Sequence, residues 1–337
     1  MSPVFCQAGE HQSDPSSKGG FPVSAQASKH NLEVSVGGGY YDFDIVNGFG
    51  TSLNTAGFDF IDQSDTGSED ADDFGGNIDI TWRTPLQLAG HNDLQGIVSL
   101  GYDFFTINTS RDLVASADGF VDVLPIDGSV SLGESFSPNA GDVYNQEFDY
   151  DYWRLHGVVG VEKPIGSNSR LGLSFYFSGG EAELSAEITN GVSLVELDED
   201  ITFISFGPQV SWATDWKINQ QWSVGASASF AALFSHGELT ANQAGGQGPD
   251  LEVEDNADNF AILADISVSA NYRINENQLV GIKAGIRYRN DVYEIINPRS
   301  GPGLNASDPA SYNPSSAHID RTDLINPYLN LVYTMNF

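Results

Sequence analysis

Residues 221–238 read QWSVGASASFAALFSHGE. The even-numbered positions as far as 234 carry only apolar side chains, namely Trp222, Val224, Ala226, Ala228, Phe230, Ala232 and Phe234. The odd-numbered positions are mostly small or polar, beginning with Ser223 and Gly225. A period of two residues is that of a β-strand, in which successive side chains point to opposite faces. The stretch therefore predicts a strand with one apolar face and one small, polar face.

The same alternation recurs along the chain from residue 31 onward and predicts ten strands. Their approximate ranges are 31–45, 75–86, 93–107, 147–164, 170–186, 200–217, 221–238, 257–274, 277–295 and 321–337. Short connections lie at 88–92, 166–169, 218–220 and 275–277, and long ones at 46–74, 108–146, 187–199, 239–256 and 296–320. An even number of strands, with short turns at one end and long loops at the other, is typical of an up-and-down antiparallel β-barrel. We therefore expect an all-β barrel over residues 31–337.

Composition excludes several classes of protein. The 337 residues include 46 acidic and 14 basic side chains, a net charge of -32, which excludes nucleic acid as a partner because such binding needs clustered basic residues. No run approaches the ~18 apolar residues that a membrane-spanning helix needs. The single cysteine, Cys6, cannot form an intramolecular disulfide, and no Cys/His spacing resembles a zinc site. We expect no cofactor, and a flexible N-terminal tail over residues 1–30, which lack the features of a signal peptide.

The charged residues decide which face of the sheet meets water. Asp265, Lys283, Arg287 and Arg289 share a face with glycine and serine, and the opposite face is aliphatic. Burying unpaired charges costs several kcal/mol each, so the charged face is expected to line a hydrated lumen and the apolar face to meet lipid. This arrangement predicts a transmembrane barrel of the bacterial outer membrane, with short periplasmic turns and long extracellular loops.

Two further patterns fit this orientation. Aromatic residues lie on the apolar face near the short turns, as expected for an interfacial girdle; they are Trp82, Trp212, Trp216, Trp222 and Tyr272. Runs of acids fall in the predicted long loops, at 69–73, 196–200 and 252–255. Asp70, Asp72 and Asp73 could bind a divalent cation through oxygen ligands, bridging to lipopolysaccharide, although plain solvated surface charge is the simpler interpretation.

The last strand ends at the final residue and has an apolar face. That face carries Leu329, Leu331, Tyr333, Met335 and Phe337. The strand resembles the terminal strand of Gram-negative outer-membrane barrels, which ends in an aromatic residue with a tyrosine four positions earlier. The resemblance implies outer-membrane lipid as the surroundings and recognition by the barrel assembly machinery through the strand ending in Phe337.

A second resemblance lies in the middle of the chain. The stretch FGPQVSW at 206–212, followed by WSVG at 222–225 and FAAL at 230–233, resembles the Gly-Pro strand and following hairpin of the Legionella-type major outer-membrane protein family. That family is regarded as pore-forming, so the resemblance implies a pore.

The candidate pore-lining residues are the charged side chains on the predicted lumen face. They are Asp79, Arg83, Asp103, Arg154, His156, Asp265, Arg273, Lys283, Arg287 and Arg289. Opposed charges of this kind would screen ions and small polar solutes diffusing passively through the barrel. The alternative is that they pair and plug a narrow ten-stranded barrel, leaving a non-conducting structural or adhesive protein.

A third possibility is a hydrolase at the extracellular rim, because omptin-type outer-membrane proteases also have ten strands with acid pairs and an Asp/His pair near the mouth. This chain offers two acid pairs and two His/acid pairs, namely Asp42 with Asp44, Asp149 with Asp151, His318 with Asp320 and His236 with Glu238. The histidine precedes the acid, the reverse of the omptin order, and acids are so abundant that chance pairs are expected. We therefore predict that the protein is not an enzyme.

Overall fold

A computed structural model describes residues 30–42, 51–57, 72–88, 91–128, 135–245, 250–297 and 316–337. Ten long strands make up the barrel: β1 (Asn31–Asp42), β3 (Asp72–Leu88), β4 (His91–Val114), β7 (Val143–Ile165), β8 (Ser169–Thr189), β9 (Ser193–Lys217), β10 (Trp222–Gly245), β11 (Leu251–Asn275), β12 (Gln278–Ile296) and β13 (His318–Asn336). Three short strands form a separate sheet: β2 (Thr51–Asn54), β5 (Val121–Val123) and β6 (Ser135–Phe136). In these ranges no helix is long and apolar enough to cross a membrane.

The ten long strands close into a single antiparallel barrel. Their order around the barrel is β1, β13, β12, β11, β10, β9, β8, β7, β4, β3, so every strand pairs with its neighbour in the meander and β1 returns to β13. That closing pair runs from Asn31 opposite Asn336 to Gly39 opposite Tyr328. The predicted all-β, up-and-down barrel of ten strands is confirmed.

The predicted orientation of the two faces is also confirmed. Ile282 and Ile286 are 54% and 56% exposed on the outer wall, whereas Arg289 is 1% exposed inside. A continuous band of exposed aliphatic and aromatic side chains, here called the apolar belt, surrounds the barrel; it includes Ile80, Val98, Leu155, Val159, Leu173, Phe206, Val210, Phe230, Val268 and Leu331. The four tryptophans of the predicted girdle are exposed on this wall at the short-turn end, where Trp222 packs edge-on against the half-buried Tyr272 at 5.2 Å.

Beyond the belt, at the long-loop end, the polarity of the two faces inverts. On β7 the outward residues there are Glu147, Asp149 and Asp151, while Phe148 and Tyr150 between them are buried inside. The same change on the other strands builds an apolar core within the upper half of the barrel. It includes Phe105, Tyr152, Leu184, Leu197, Ile201, Phe203, Leu239, Val292, Ile295, Ile319 and Leu324. In the extracellular half, apolar side chains therefore lie inside the barrel and charged side chains outside, as in a water-soluble barrel.

This inversion corrects two predicted loops. The long loops expected at 187–199 and 239–256 are wrong, because β8 and β9 are separated only by residues 190–192 and the strands β10 and β11 reach 245 and 251. The acidic run at 196–200 lies on β9, with Glu196 exposed and Glu199 buried inside. Aliphatic residues that point inward still alternate with acids that point outward in these segments. Each strand therefore keeps one buried face after its outer face has become polar, and the strand continues.

The three-stranded sheet was not predicted, and it caps the extracellular end. It packs on a second apolar core that includes Val121, Phe136 and Tyr144. From this cap the chain enters the barrel mouth, where Ile126 joins the main apolar core and its backbone N–H donates to the Gln243 Oε1 at 2.9 Å. Of the tail predicted at 1–30, residues 1–29 lie outside the described residues, as do the acids Asp44 and Asp70.

Candidate functional site

All ten candidate pore-lining residues lie on strand faces that point into the barrel, although their role in conduction stays a prediction. Eight of them line a cavity in the short-turn half: Asp79, Arg83, Arg154, His156, Asp265, Arg273, Lys283 and Arg287. The other two, Asp103 and Arg289, are buried at its inner end. Sequence periodicity thus identified the inward charges but not how they divide between a hydrated cavity and a buried layer.

The buried layer is a network of charges that crosses the lumen. Asp103 on β4 forms a buried ion pair with Arg154 on the adjacent β7. Asp103 Oδ2 also lies 3.6 Å from Arg287 Nη1 on β12, and Arg287 Nε lies 3.3 Å from Asp265 Oδ2. His156 Nε2 lies 3.5 Å from Asp79 Oδ1 at the edge of the layer. Because β4 and β12 are far apart in the strand order, these contacts join opposite walls.

Arg289 makes the longest crossing. Its Nη1 donates to the Tyr152 hydroxyl at 2.7 Å, and its Nε donates to Asp291 Oδ1 at 2.9 Å. Tyr152 lies on β7 and Arg289 on β12, which are diametrically opposite in the ten-strand order. The Tyr152 ring also stacks on Phe203 at 5.9 Å. Side chains from opposite walls are therefore in direct contact, and the apolar core lies immediately above them.

The cavity below this layer has a volume of about 620 Å³ and reaches the short turns. Its wall carries a chain of ion pairs from strand to strand: Arg83 lies 3.4 Å from Glu33 and 3.2 Å from Glu162, while Arg170 lies 3.5 Å from Glu162 and 3.0 Å from Asp215. The interior at the short-turn end, which is predicted to face the periplasm, is thus a polar chamber with the buried layer at its inner end.

Several members of these networks are not among the ten predicted pore-lining residues: Glu33, Glu162, Arg170, Asp215 and Asp291. All five could have been included, because each has the inward parity of its strand. Asp291, which is 0% exposed, has the same parity as Arg287 and Arg289, although the pairing of β12 with β13 is irregular between Arg289 and Val292.

Among the residues that the structure describes, the predicted rim pairs do not meet at one site. His236 lies on the outer wall, where Nδ1 is 2.7 Å from Asp258 and Nε2 is 3.1 Å from Glu238. Hydrogen bonds to Glu238 and Asp258 raise the pKa of His236. The pair Asp149 and Asp151 lies on β7, three strands away from β10. His318 hydrogen-bonds through Nδ1 to the Ser316 carbonyl at 2.9 Å, and the Asp42 side chain lies outside the described residues.

One group of carboxylates on the outer wall brings its oxygens together. Glu181, Glu183 and Asp200 place one ligand atom each within 4.8 Å of one another, just above the apolar belt. Glu181 also accepts a hydrogen bond from Trp153 Nε1 at 3.1 Å. Desolvation, together with the like charges of Glu181, Asp200 and Asp151, raises the pKa of Glu183. The cluster differs from the predicted cation ligands Asp70, Asp72 and Asp73, whose side chains the structure does not describe.

The closed sheet, the lipid-facing belt, the charged interior and the acidic upper wall define the protein as a β-barrel of the bacterial outer membrane. No protein family matches the sequence, and no curated protein matches it. Among solved structures the chain is similar to the outer membrane protease OmpT from Escherichia coli, with 10% identity and a TM-score of 0.43 over 93% of this chain and 98% of that one.

Two channels are also similar to this chain. The CymD monoaromatic hydrocarbon channel has 9% identity and a TM-score of 0.32, covering 92% of this chain and 88% of its own. The toluene transporter TodX of P. putida has 11% identity and a TM-score of 0.28, covering 92% and 90%. At these identities and TM-scores the comparisons assign no activity to this chain.

Proposed function

We propose that the protein is a non-conducting outer-membrane barrel that anchors a capped, acidic extracellular surface. The observation that carries this proposal is the contact from Arg289 to Tyr152 across the full diameter of the lumen. A solute would have to separate these side chains and then pass the apolar core above them. The proposal assigns no catalytic reaction to the protein, and the separation of Asp149 and Asp151 from His236 by three strands supports this choice.

The energetics of the buried layer support a permanently closed barrel. Arg289 and Asp291 are 1% and 0% exposed, so they depend on each other and on Tyr152 for compensation. Removing one partner of a buried ion pair costs about 3 to 5 kcal/mol, because the other charge is left unpaired. Opening the lumen would break several such contacts at once and would also hydrate the apolar core. Thermal motion is therefore expected to leave the layer intact.

The second candidate function is a passive pore for ions or small polar solutes. The observation that favours it is the periplasm-facing cavity, whose lining includes eight of the ten predicted lumen charges. The resemblance of residues 206–233 to a pore-forming family points the same way. Selectivity would then arise from these lumen charges and from the acidic outer surface, and conduction would require the buried layer to rearrange.

The partners of either function follow from the outer wall. Outer-membrane lipid would cover the apolar belt, and lipopolysaccharide would contact the acidic wall above it, with divalent cations between carboxylates and lipid phosphates. Phe337 is 58% exposed at the end of β13, where the barrel assembly machinery would recognise it. Its backbone also exchanges two hydrogen bonds with His30, so the recognised residue is part of the barrel seam.

Conductance in a planar bilayer separates the two functions. The refolded full chain, shown to be folded by its heat-modifiable mobility on gels, is expected to give no discrete current steps. Reproducible steps with a defined ion preference, changed by Lys283→Gln, would instead establish the passive pore and overturn the proposal. Lys283 is chosen because it lines the cavity and has no ion pair among the described side chains.

A further inference from the structure

We propose that the periplasm-facing cavity binds a small polyhydroxylated organic anion, of the kind represented by a phosphorylated or carboxylated sugar. This site goes beyond the proposed function, because a blind cavity can bind a ligand whether or not the barrel conducts. Its volume of about 620 Å³ falls within the range typical of small-molecule sites.

The cavity lining is far less acidic than the protein as a whole. Seven of the chain's 14 basic residues line it, but only six of the 46 acidic residues do. A chain with a net charge of -32 has therefore concentrated half of its positive charge in one chamber. An anion approaching from that end would therefore meet a nearly neutral chamber instead of the strongly negative charge of the rest of the molecule.

The charges left without a salt bridge in the cavity are mostly basic, because five of its six acids are already paired with arginine or histidine. Glu33, Glu162, Asp215 and Asp265 each lie within 3.5 Å of an arginine, and Asp79 lies 3.5 Å from His156. The sixth acid, Glu276, lies in the turn between β11 and β12, at the opening of the cavity at the short-turn end.

Three of the basic side chains, by contrast, have no salt bridge to any described residue. They are Lys217 and Arg273 near the opening of the cavity at the short-turn end, and Lys283 deeper in the cavity. Lys283 Nζ lies 5.8 Å from the centre of the Tyr328 ring, a weak contact that leaves its three donors available. At the inner end Arg154, which is 1% exposed, has one guanidinium nitrogen, Nη1, without an acceptor in the described chain. These donors mark a path for an anion from the mouth to the inner end.

The remaining wall is suited to hydroxyl groups. Serine side chains line the cavity at Ser35, Ser99, Ser174, Ser227, Ser267 and Ser269. Ser227 and Ser267 hydrogen-bond each other at 2.7 Å, which shows that hydroxyls on neighbouring strands face the same space. A hydroxyl both donates and accepts a hydrogen bond, so such a wall can satisfy a sugar as well as water. The arginines and lysines would bind its phosphate or carboxylate through charge-assisted hydrogen bonds.

Isothermal titration calorimetry of the refolded full chain in detergent at low ionic strength tests the site. Glucose 6-phosphate and gluconate are the anionic probes, and glucose is the neutral control. Both anions are expected to bind, and glucose to bind at least about tenfold more weakly, because charge-assisted contacts supply much of the affinity. Lys283→Gln is expected to weaken binding of both anions by about tenfold, with the same heat-modifiable mobility as the parent.

Lys163→Gln is the matched control, because Lys163 lies at the same end of the barrel but on the outer wall, 3.9 Å from Asp93. It should leave binding unchanged. The double substitution Lys217→Gln with Arg273→Gln tests the mouth independently should Lys283→Gln fail to fold. Absence of binding by both anions, equal binding of glucose, or the same loss with Lys163→Gln would overturn the proposal.

Discussion

At the scale of the residue, Glu199 is the most unusual side chain in the extracellular half. It is 0% exposed and faces inward, with Leu184 and Ala241 opposite it on the two neighbouring strands. Burial raises the pKa of Glu199 to about 8, although the Asn297 amide lowers it in part. The carboxyl group is therefore mostly neutral at pH 7, which is the form that an apolar core tolerates.

This burial predicts a pH-dependent stability. The folded pKa of Glu199 lies above its unfolded value, so the folded state holds the proton more tightly and its contribution is fully present below about pH 4.5. That contribution falls by up to about 1.4 kcal/mol per pH unit between pH 4.5 and 8 and is lost above this range. Glu199→Gln should remove the slope, measured as the difference in free energy of unfolding between variant and parent from pH 5 to 9.

Glu196→Gln serves as the control, because Glu196 lies on the same strand but is exposed on the outer wall. It should leave the pH profile of the parent unchanged. Parallel profiles for Glu199→Gln and the parent would contradict the prediction.

Residue partners were harder to predict than residue directions. Alternation fixed which side chains of each strand face inward, so Arg287 and Arg289 were placed correctly from the sequence. The partner of Arg289 was out of reach, because Tyr152 is 137 residues earlier in the chain and on the opposite wall. Which residues meet across a lumen depends on the stagger of all ten strands, and no single strand carries that information.

At the scale of the element, the apolar face of a strand changes from the outer face at the short-turn end to the inner face at the long-loop end. On β10 the outward side chains are apolar as far as Phe234 and polar from His236 onward, while Leu239 and Ala241 turn inward. A strand predicted from one continuous apolar face ends where that face becomes polar, which is too early. This explains the loops wrongly predicted at 187–199 and 239–256. Period alone, without regard to which face is apolar, would have carried β10 to its observed end.

Close packing inside the upper barrel predicts a specific sensitivity on β10. A Cβ added at Gly237 would lie 3.0 Å from three carbons of the Tyr293 ring, which packs flat against the strand. Tyr293 also donates a hydrogen bond to the Ser235 hydroxyl at 3.0 Å. Gly237→Val should therefore displace the ring and destabilise the protein by about 1 to 3 kcal/mol, measured by denaturant unfolding in detergent.

Gly179 on β8 provides the comparison. It lies on the outer wall, and a Cβ there would meet atoms only at 3.4 and 3.6 Å, which is ordinary contact. Gly179→Ala should leave stability nearly unchanged. If the two substitutions had equal effects, the inner packing at Tyr293 would not be the cause.

At the scale of the whole molecule, the sequence predicted a hydrated lumen and the structure has one only in its periplasmic half. The faces of the strands were identified correctly, and so was closure into ten strands. The apolar core was missed because the strands change which of their faces is apolar above the belt. The cap was missed because residues 121–126 fold over the extracellular end, where Gln243 Nε2 donates to the Leu124 carbonyl at 3.2 Å. Local periodicity does not report on such a long-range contact.

The orientation of the whole barrel makes a prediction of its own. In a Cys6→Ser background, Val192→Cys places a thiol in the turn between β8 and β9, and Gln220→Cys places one in the turn between β9 and β10. A membrane-impermeant maleimide should label only position 192 on intact Gram-negative cells, because position 220 faces the periplasm. The measurement is the fraction of each purified variant that carries the label.

Permeabilised cells supply the control, since both thiols are exposed and should then react. Labelling of position 220 on intact cells, with position 192 protected, would mean that the barrel has the opposite orientation.

The inversion of polarity above the belt also sets how deep every strand sits. Moving one strand by two residues along its neighbours keeps the same side chains facing inward, so the inward and outward pattern alone does not forbid it. The change from oily to acidic on the outer wall does forbid it, because the slipped strand would carry a carboxylate into hydrocarbon or lift an aliphatic group into water. The position of this change along each strand therefore fixes its depth in the membrane, and because the change lies at a similar level on all ten strands it sets where the barrel leaves the hydrocarbon.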